Sequence, residues 1–241
     1  MKVPAAVATP ARVLPVIVLA QLLGTSPWFA VNAVMPDLQA ANGWPASSVG
    51  TLTSSLQAGF IVGTLVFALM AVADRFPARA VFALCALAAA ATTVAAAVWS
   101  RSFGALVLWR AATGFCLAGI YPVGMKIAAQ WFPQGLGPAL GWLVGALVLG
   151  SASPHAMRAI VLAGGNLPWQ MVFGAVAVVT AGAGVLLWSL VPPSPAFAGR
   201  GPGLQLSALA SVWVDRKVRA SVFGYFGHMV ELYTMWVLVP A

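Results

Sequence analysis

Residues 13–35 read VLPVIVLAQLLGTSPWFAVNAVM, an apolar run that contains no charged side chain. As a helix this run would be about 35 Å long, which is enough to cross the hydrocarbon core of a bilayer. It follows Lys2 and Arg12, as the apolar region of a signal peptide would. However, it exceeds the roughly 7–15 apolar residues of such a signal. The stretch therefore predicts a membrane-spanning helix.

The composition of the whole chain supports the same interpretation. Of its 241 residues 61% are hydrophobic and 7% are charged, and the mean hydropathy is +0.95. A soluble domain carries roughly 25% charged residues. The net charge of +8 lies between apolar runs rather than in a patch interleaved with aromatic residues, which argues against nucleic acid as a partner. The composition predicts a polytopic membrane protein whose main partner is the lipid bilayer.

Seven apolar segments reach spanning length, and the breaks between them carry proline, glycine and polar residues. The segments are 13–35, 50–73, 80–99, 105–129, 138–161, 169–191 and 220–241. A segment in lipid must satisfy its backbone hydrogen bonds internally, so each is expected to be a helix. The sequence therefore predicts an all-α polytopic membrane protein.

The positive charges of the loops orient these segments. With a cytoplasmic N-terminus, the outside carries only Arg101 and Arg158. The inside then carries Lys2, Arg12, Arg75, Arg79, Lys126, Arg200, Arg216, Lys217 and Arg219. Because cytoplasmic loops are enriched in Lys and Arg, this bias predicts a multi-pass inner-membrane protein with its N-terminus and central loop in the cytoplasm.

Arg110 is a charged side chain within the fourth segment, where it costs several kcal/mol unless it meets water or a partner. Two interpretations stay open. The side chain either extends to the outer interface, or it faces a cavity and attracts an anion or pairs with a carboxylate.

His155 and Arg158 follow Pro154 late in the fifth segment. Pro154 is expected to break the helix and free backbone groups, which would indicate a cavity beside the two side chains. The alternative for Arg158 is a helix end at the outer interface. Neutral groups suited to a hydrated path, or to helix packing, are Asn32, Gln57 and Tyr121.

Residues 224–236 read GYFGHMVELYTMW and place ionisable groups in the middle of the seventh segment. His228 and Glu231 are three residues apart, so they share a helix face. Together with Tyr225 they are predicted to line a substrate or proton pathway. The alternative is a static hydrogen-bonded pair that fixes two helices.

Two GxxxG spacings predict close approach of helix backbones. Gly59 and Gly63 form one in the second segment, and Gly141 and Gly145 form another in the fifth.

Several chemistries find no support in the sequence. Residues 220–241 contain no lysine for a retinal Schiff base, and neither Ser26 nor Ser151 lies in a serine protease framework. A Walker A motif, a glycine-rich dinucleotide loop and a Cys/His metal spacing are also absent. We therefore expect no enzyme activity, no cofactor and no metal.

The loop after the second segment carries a family pattern. Residues 70–79 read MAVADRFPAR, which resembles the major facilitator superfamily pattern G-x-L-A-D-R-x-G-R-R/K. Asp74, Arg75 and Arg79 match it, whereas Met70 and Pro77 replace its two glycines and Ala78 replaces a basic residue.

Three further features extend this resemblance. Arg110 and Gly114 are similar to the family's R-x-x-q-G motif, and Gly145, Gly150 and Pro154 loosely resemble its antiporter motif G-x-x-x-G-P. The stretch 224–236 resembles the start of the C-terminal half in some bacterial members.

The resemblance implies one six-helix half of a major facilitator fold, built from two inverted three-helix repeats, plus a seventh helix. The implied divisions are a bundle over 1–191, a cytoplasmic loop over 192–217 and the first helix of a second bundle over 218–241. The chain is expected to be truncated, and a complete carrier would require the C-terminal half.

The resemblance also implies secondary active transport of a small solute by alternating access. The basic residues favour an anion, and Glu231 favours proton coupling. Asp74, Arg75 and Arg79 would form a gating loop. The alternative is a non-transporting membrane partner or sensor module derived from half a transporter.

Overall fold

The computed structural model describes residues 10–100, 102–165, 168–194 and 213–238. Within these ranges the regular structure is helical and contains no strand. Six of the helical stretches are long and apolar enough to cross a membrane, which confirms the predicted fold class. We refer to them as spans 1 to 6: Val13–Ala33, Ser48–Leu69, Ala78–Trp99, Phe103–Trp131, Leu136–Ala163 and Gln170–Leu190.

Span 1 is interrupted, whereas the sequence predicted an unbroken helix. An α-helix over Val13–Gly24 is followed by a 3₁₀ turn over Ser26–Phe29 and a short helix over Ala30–Ala33. Pro27 lacks an N–H and cannot continue the helical hydrogen bonding. The Ser26 hydroxyl instead donates to the Leu23 carbonyl over 2.8 Å. The Leu23 carbonyl therefore keeps a hydrogen-bond partner within the segment, as a lipid environment requires.

Span 4 is interrupted in the same manner, which the sequence also did not predict. Its helices cover Phe103–Leu117 and Tyr121–Trp131, and Pro122 lies in the first turn of the second helix. Proline is accommodated there because the first N–H groups of a helix have no internal partner. A Cβ added to Gly24 would lie 2.9 Å from the Ile120 side chain. The two interruptions therefore approach each other inside the bundle.

Span 5 is continuous from Leu136 to Ala163 although Pro154 lies inside it. The expectation that Pro154 breaks this helix was therefore wrong. Proline removes the hydrogen bond to the carbonyl four residues earlier, which belongs to Gly150. The Ser153 hydroxyl donates to the Gly150 carbonyl over 2.7 Å and satisfies it instead. The Gly150 carbonyl therefore keeps a hydrogen-bond partner although the helix contains a proline.

The packing of the spans shows two inverted three-helix repeats. Span 4 packs along spans 2 and 3 as span 1 packs along spans 5 and 6, and spans 3 and 6 pack on each other. Exchanging spans 1, 2 and 3 with spans 4, 5 and 6 therefore reproduces the arrangement. Because each repeat crosses the membrane three times, the second repeat runs opposite to the first. The interruptions of spans 1 and 4 occupy equivalent places in the two repeats.

Glycine allows the closest of these contacts. A Cβ on Gly59 would overlap the backbone carbonyl of Ala111, and a Cβ on Gly114 would overlap that of Leu56. Spans 2 and 4 consequently approach with their backbones in contact, as the first GxxxG spacing predicted. Nothing lies within 4 Å of the corresponding positions at Gly141 and Gly145. The second spacing therefore mediates no contact in the described residues, and that expectation was wrong.

Short helices lie in the connections. Met35–Asn42 follows span 1 and Val72–Arg75 follows span 2.

The chain divides into two compact units, residues 1–200 and 201–241, and all six spans belong to the first. The second contains a helix over Arg216–Leu238. Asp215 caps its start by accepting hydrogen bonds from the backbone N–H of Lys217 and Val218. This helix is about 35 Å long, enough to span, but it is not among the six that satisfy the apolar criterion. The seventh span and the finer domain limits stay predictions.

Candidate functional site

Arg110 lies in the interior of the first unit. Its side chain is 1% exposed, so extension to the outer interface was wrong. Nη1 donates to the Pro27 carbonyl over 2.9 Å and Nη2 donates to the Trp28 carbonyl over 2.7 Å. Among the described residues its hydrogen-bond partners are thus backbone carbonyls, and not the carboxylate that one interpretation of the sequence expected. The guanidinium joins span 4 to the interruption of span 1.

Other polar groups gather around the same interruption. The Ser26 and Thr180 hydroxyl oxygens are 3.1 Å apart, which links spans 1 and 6. Gln21 is fully buried and its side-chain oxygen lies against Gly124 of span 4. Neither amide atom of Gln21 has a hydrogen-bond partner among the described residues. The crossing of spans 1 and 4 therefore combines a buried cation with unused hydrogen-bonding capacity.

Three neutral residues predicted to line the pathway have different surroundings. Asn32 Nδ2 donates to the Thr53 hydroxyl over 3.1 Å and so connects spans 1 and 2. Gln57 is half-buried on span 2, and Tyr121 is half-buried at the start of the second helix of span 4. They come from three spans, and their role in a pathway stays a prediction.

Arg158 forms an ion pair with Asp37, which lies on the short helix after span 1. The Arg158 side chain is 14% exposed and the Asp37 side chain is 29% exposed. His155 lies three residues earlier on span 5 and is exposed. The sequence placed Arg158 correctly near the end of its span but did not identify Asp37 as its partner.

The three residues of the predicted gating loop have different surroundings. Asp74 forms an ion pair with Lys126 of span 4, and Arg75 is exposed. Arg79 lies at the start of span 3, where Nη1 donates to the Val191 carbonyl over 3.4 Å. Arg79 therefore contacts the end of span 6 rather than the Asp74 ion pair.

The two ion pairs are equivalent under the exchange of the repeats. Lys126 near the end of span 4 binds Asp74 after span 2, and Asp37 after span 1 binds Arg158 near the end of span 5. The exchange thus maps one pair onto the other with the signs of the charges reversed. Successive loops lie on opposite sides of the membrane, so the pairs lie at opposite ends of the bundle. Each pair joins two spans of different repeats.

In the second unit, Tyr225, His228 and Glu231 follow one another at intervals of three on the helix Arg216–Leu238. This spacing places them along one side of the helix, as the sequence predicted. Their participation in a pathway stays a prediction. The described residues contain no group of three or more His, Cys, Asp or Glu side chains that could hold a metal ion.

Six membrane-compatible helices, inverted repeats and interrupted spans at the bundle centre define the class as a multi-pass α-helical membrane protein. The family model of the Major Facilitator Superfamily matches residues 17–241, and the chain belongs to that superfamily. A search of the curated proteins found no match. The superfamily consists of transporters and in general not of enzymes, so this chain is a transport protein for some solute.

Proposed function

We propose that the protein is a secondary active transporter that moves a small anionic solute by alternating access, coupled to protons. The observation that carries the anion assignment is the balance of charges in residues 1–200. This unit contains two carboxylates, Asp37 and Asp74, and each forms an ion pair. The buried Arg110 donates to carbonyls instead. A buried cation without a carboxylate partner favours an anionic ligand.

The interruption of spans 1 and 4 supports a central binding site. In transporters with inverted repeats, substrates bind near the bilayer midplane beside discontinuous helices. Arg110 contacts such a segment directly, through the carbonyls of Pro27 and Trp28. The proposed pathway residues are Asn32, Gln57, Arg110, Tyr121, His155, Arg158, Tyr225, His228 and Glu231. Arg158 would take part when its contact with Asp37 opens.

We assign the gating role to the loop with Asp74, Arg75 and Arg79. The Asp74–Lys126 ion pair lies at one end of the bundle and the Asp37–Arg158 pair lies at the other. Alternating access requires one end to open while the other stays closed. Both pairs join residues of this one bundle, so the gating role rests on the position of the Asp74 loop at one end of the bundle and on the family pattern that the loop carries.

Solute uptake into proteoliposomes tests the proposal. The assay compares small organic anions with cations and neutral solutes of similar size, with and without a pH gradient. One arm uses the chain alone, and a second arm supplies another six-helix bundle of the superfamily, because alternating access moves two bundles against each other. We expect uptake of an anion in the second arm. Cation uptake alone would overturn the anion assignment, and no uptake in either arm would favour a partner or sensor module.

Proton coupling is tested at Glu231 in the transporting preparation. Glu231→Gln retains the size and hydrogen bonding of the side chain but cannot release a proton. We expect this variant to lose the pH dependence of uptake, while the matched Glu231→Asp variant retains it. Wild-type pH dependence in Glu231→Gln would show that the residue only packs.

We further propose an inner-membrane location with the N-terminus and the central loop in the cytoplasm, from the charge bias of the loops. Ala46 and Gln134 are exposed in connections on opposite sides of the bundle. A membrane-impermeant maleimide should label Ala46→Cys in intact cells, and Gln134→Cys only after permeabilisation. The reverse pattern would invert the proposed topology.

A further inference from the structure

Spans 3 and 6 enclose an apolar groove on the surface of the first unit. Its volume is about 330 Å³, and the small residues Ala80, Ala83 and Gly184 line it where the two helices meet. Leu84 and Trp188 also line it and are 67% and 48% exposed. Both flanking helices belong to the membrane-compatible set. Lipid chains of the bilayer therefore have access to this groove.

A second pocket of about 200 Å³ lies where span 3 begins and span 6 ends. Three polar side chains line it, those of Arg79, Gln130 and Ser194, and the rest of its lining is mostly apolar, as at Trp131 and Val191. We refer to it as the Arg79 pocket. The Arg79 guanidinium carbon lies 4.6 Å from the centre of the Trp188 ring, which lines the apolar groove. Arg79 therefore connects the Arg79 pocket, at one end of spans 3 and 6, with the apolar groove that runs along them.

The charge of Arg79 is not balanced within its own unit. The two carboxylates of residues 1–200 form ion pairs with Lys126 and Arg158. Arg79 uses one N–H for its long hydrogen bond to the Val191 carbonyl. Its buried Nε has no hydrogen-bond partner among the described residues. Since a guanidinium has five N–H donors in a planar fork, it can still bind two oxygens of a phosphate.

We propose that the Arg79 pocket and the groove together form a binding site for one acidic phospholipid of the surrounding bilayer. The phosphate contacts Arg79, and one acyl chain lies in the groove between Ala80 and Trp188. Basic pockets between membrane helices recognise anionic headgroups in this manner. The stacking of Arg79 on Trp188 orients the guanidinium while the aromatic ring contacts the lipid chain.

The test measures lipid binding to delipidated protein by native mass spectrometry, with phosphatidylglycerol and phosphatidylcholine of identical chains. We expect one phosphatidylglycerol per chain, bound more tightly than phosphatidylcholine. Arg79→Gln should weaken phosphatidylglycerol binding about fivefold, the factor for one basic side chain at an acidic lipid surface. Arg12→Gln is the matched control, since Arg12 is exposed and lines neither cavity. Glycerol phosphate at the same concentration should not displace the lipid.

A second variant tests the groove without altering charge. Ala80→Leu fills the groove and should weaken the binding of both lipids. If Arg79→Gln does not fold, Ala80→Leu tests the proposal by itself. Equal losses in Arg79→Gln and Arg12→Gln would reveal unspecific charge attraction and overturn the proposal. Displacement by glycerol phosphate would assign the site to a free phosphate instead. Unchanged binding in Arg79→Gln, or in Ala80→Leu, would likewise refute it. None of these results depends on transport.

Discussion

Replacement of Arg110 by methionine should destabilise the bundle by removing the link between span 4 and the interruption of span 1. The guanidinium makes two hydrogen bonds, of 2.9 Å to the Pro27 carbonyl and 2.7 Å to the Trp28 carbonyl. Both bonds are buried, and methionine can replace neither. The Pro27 carbonyl also accepts a backbone hydrogen bond from Ala30, so it keeps a partner in the variant.

The size of the expected loss in unfolding free energy depends on the unfolded state with which the bundle is compared. When the spans separate within a micelle they stay inserted, so the cost of placing a guanidinium in the apolar phase largely cancels. Hydrogen bonds to charged groups contribute about 1.5–3 kcal/mol each in soluble proteins. Those measured between membrane helices average about 0.6 and reach about 1.7 kcal/mol. For two charge-assisted bonds we expect Arg110→Met to lower the free energy of unfolding by about 2–3 kcal/mol.

Reversible unfolding of the purified protein in mixed micelles measures this loss. Arg110→Lys is the matched variant, because lysine keeps the charge but lacks the planar fork that reaches two carbonyls. It should lose about half as much stability. If Arg110→Met unfolds with wild-type free energy, the two bonds do not hold span 4 against span 1, and the argument fails. If Arg110→Lys folds well but transports nothing, the guanidinium also acts in the pathway.

Three further predictions concern packing, the loop ion pair and a buried amide. Gly114→Ala should lower the free energy of unfolding by about 1–3 kcal/mol through overpacking. The control Gly145→Ala adds its methyl group to open space and should not lower it. Equal effects of the two variants in the same unfolding assay would contradict the contact between spans 2 and 4. The Asp74–Lys126 pair is partly exposed and should contribute less than about 1 kcal/mol, so Asp74→Asn should slow uptake with little loss of stability, and Asp74→Lys combined with Lys126→Asp should restore it. Unchanged uptake in Asp74→Asn would remove the gating assignment. Gln21→Met should leave stability unchanged or raise it by up to about 1 kcal/mol, because a buried amide without partners is costly; a clear loss in thermal unfolding would show that the amide is satisfied.

Hydrophobicity made the membrane class and the six spans predictable from the sequence. Lipid requires every spanning segment to be apolar and helical, so the signal is local and repeats in each segment. The contact between spans 2 and 4 was predictable in part, because Gly59 and Gly63 lack side chains on one helix face. The same spacing at Gly141 and Gly145 failed, since a pattern on one helix does not reveal which face meets a neighbour.

What the sequence could not determine depends on contacts between residues far apart in the chain. Arg110 was recognisable as an expensive buried charge, yet its partners are backbone carbonyls of Pro27 and Trp28, and a carbonyl carries no sequence signature. Pro154 was expected to break a helix that is continuous, and the Ser153 hydroxyl bonds the Gly150 carbonyl that the proline cannot reach. Insertion into lipid is decided segment by segment and can be predicted from composition. The pairing of polar groups is decided by how the helices cross, and only the tertiary structure contains that information.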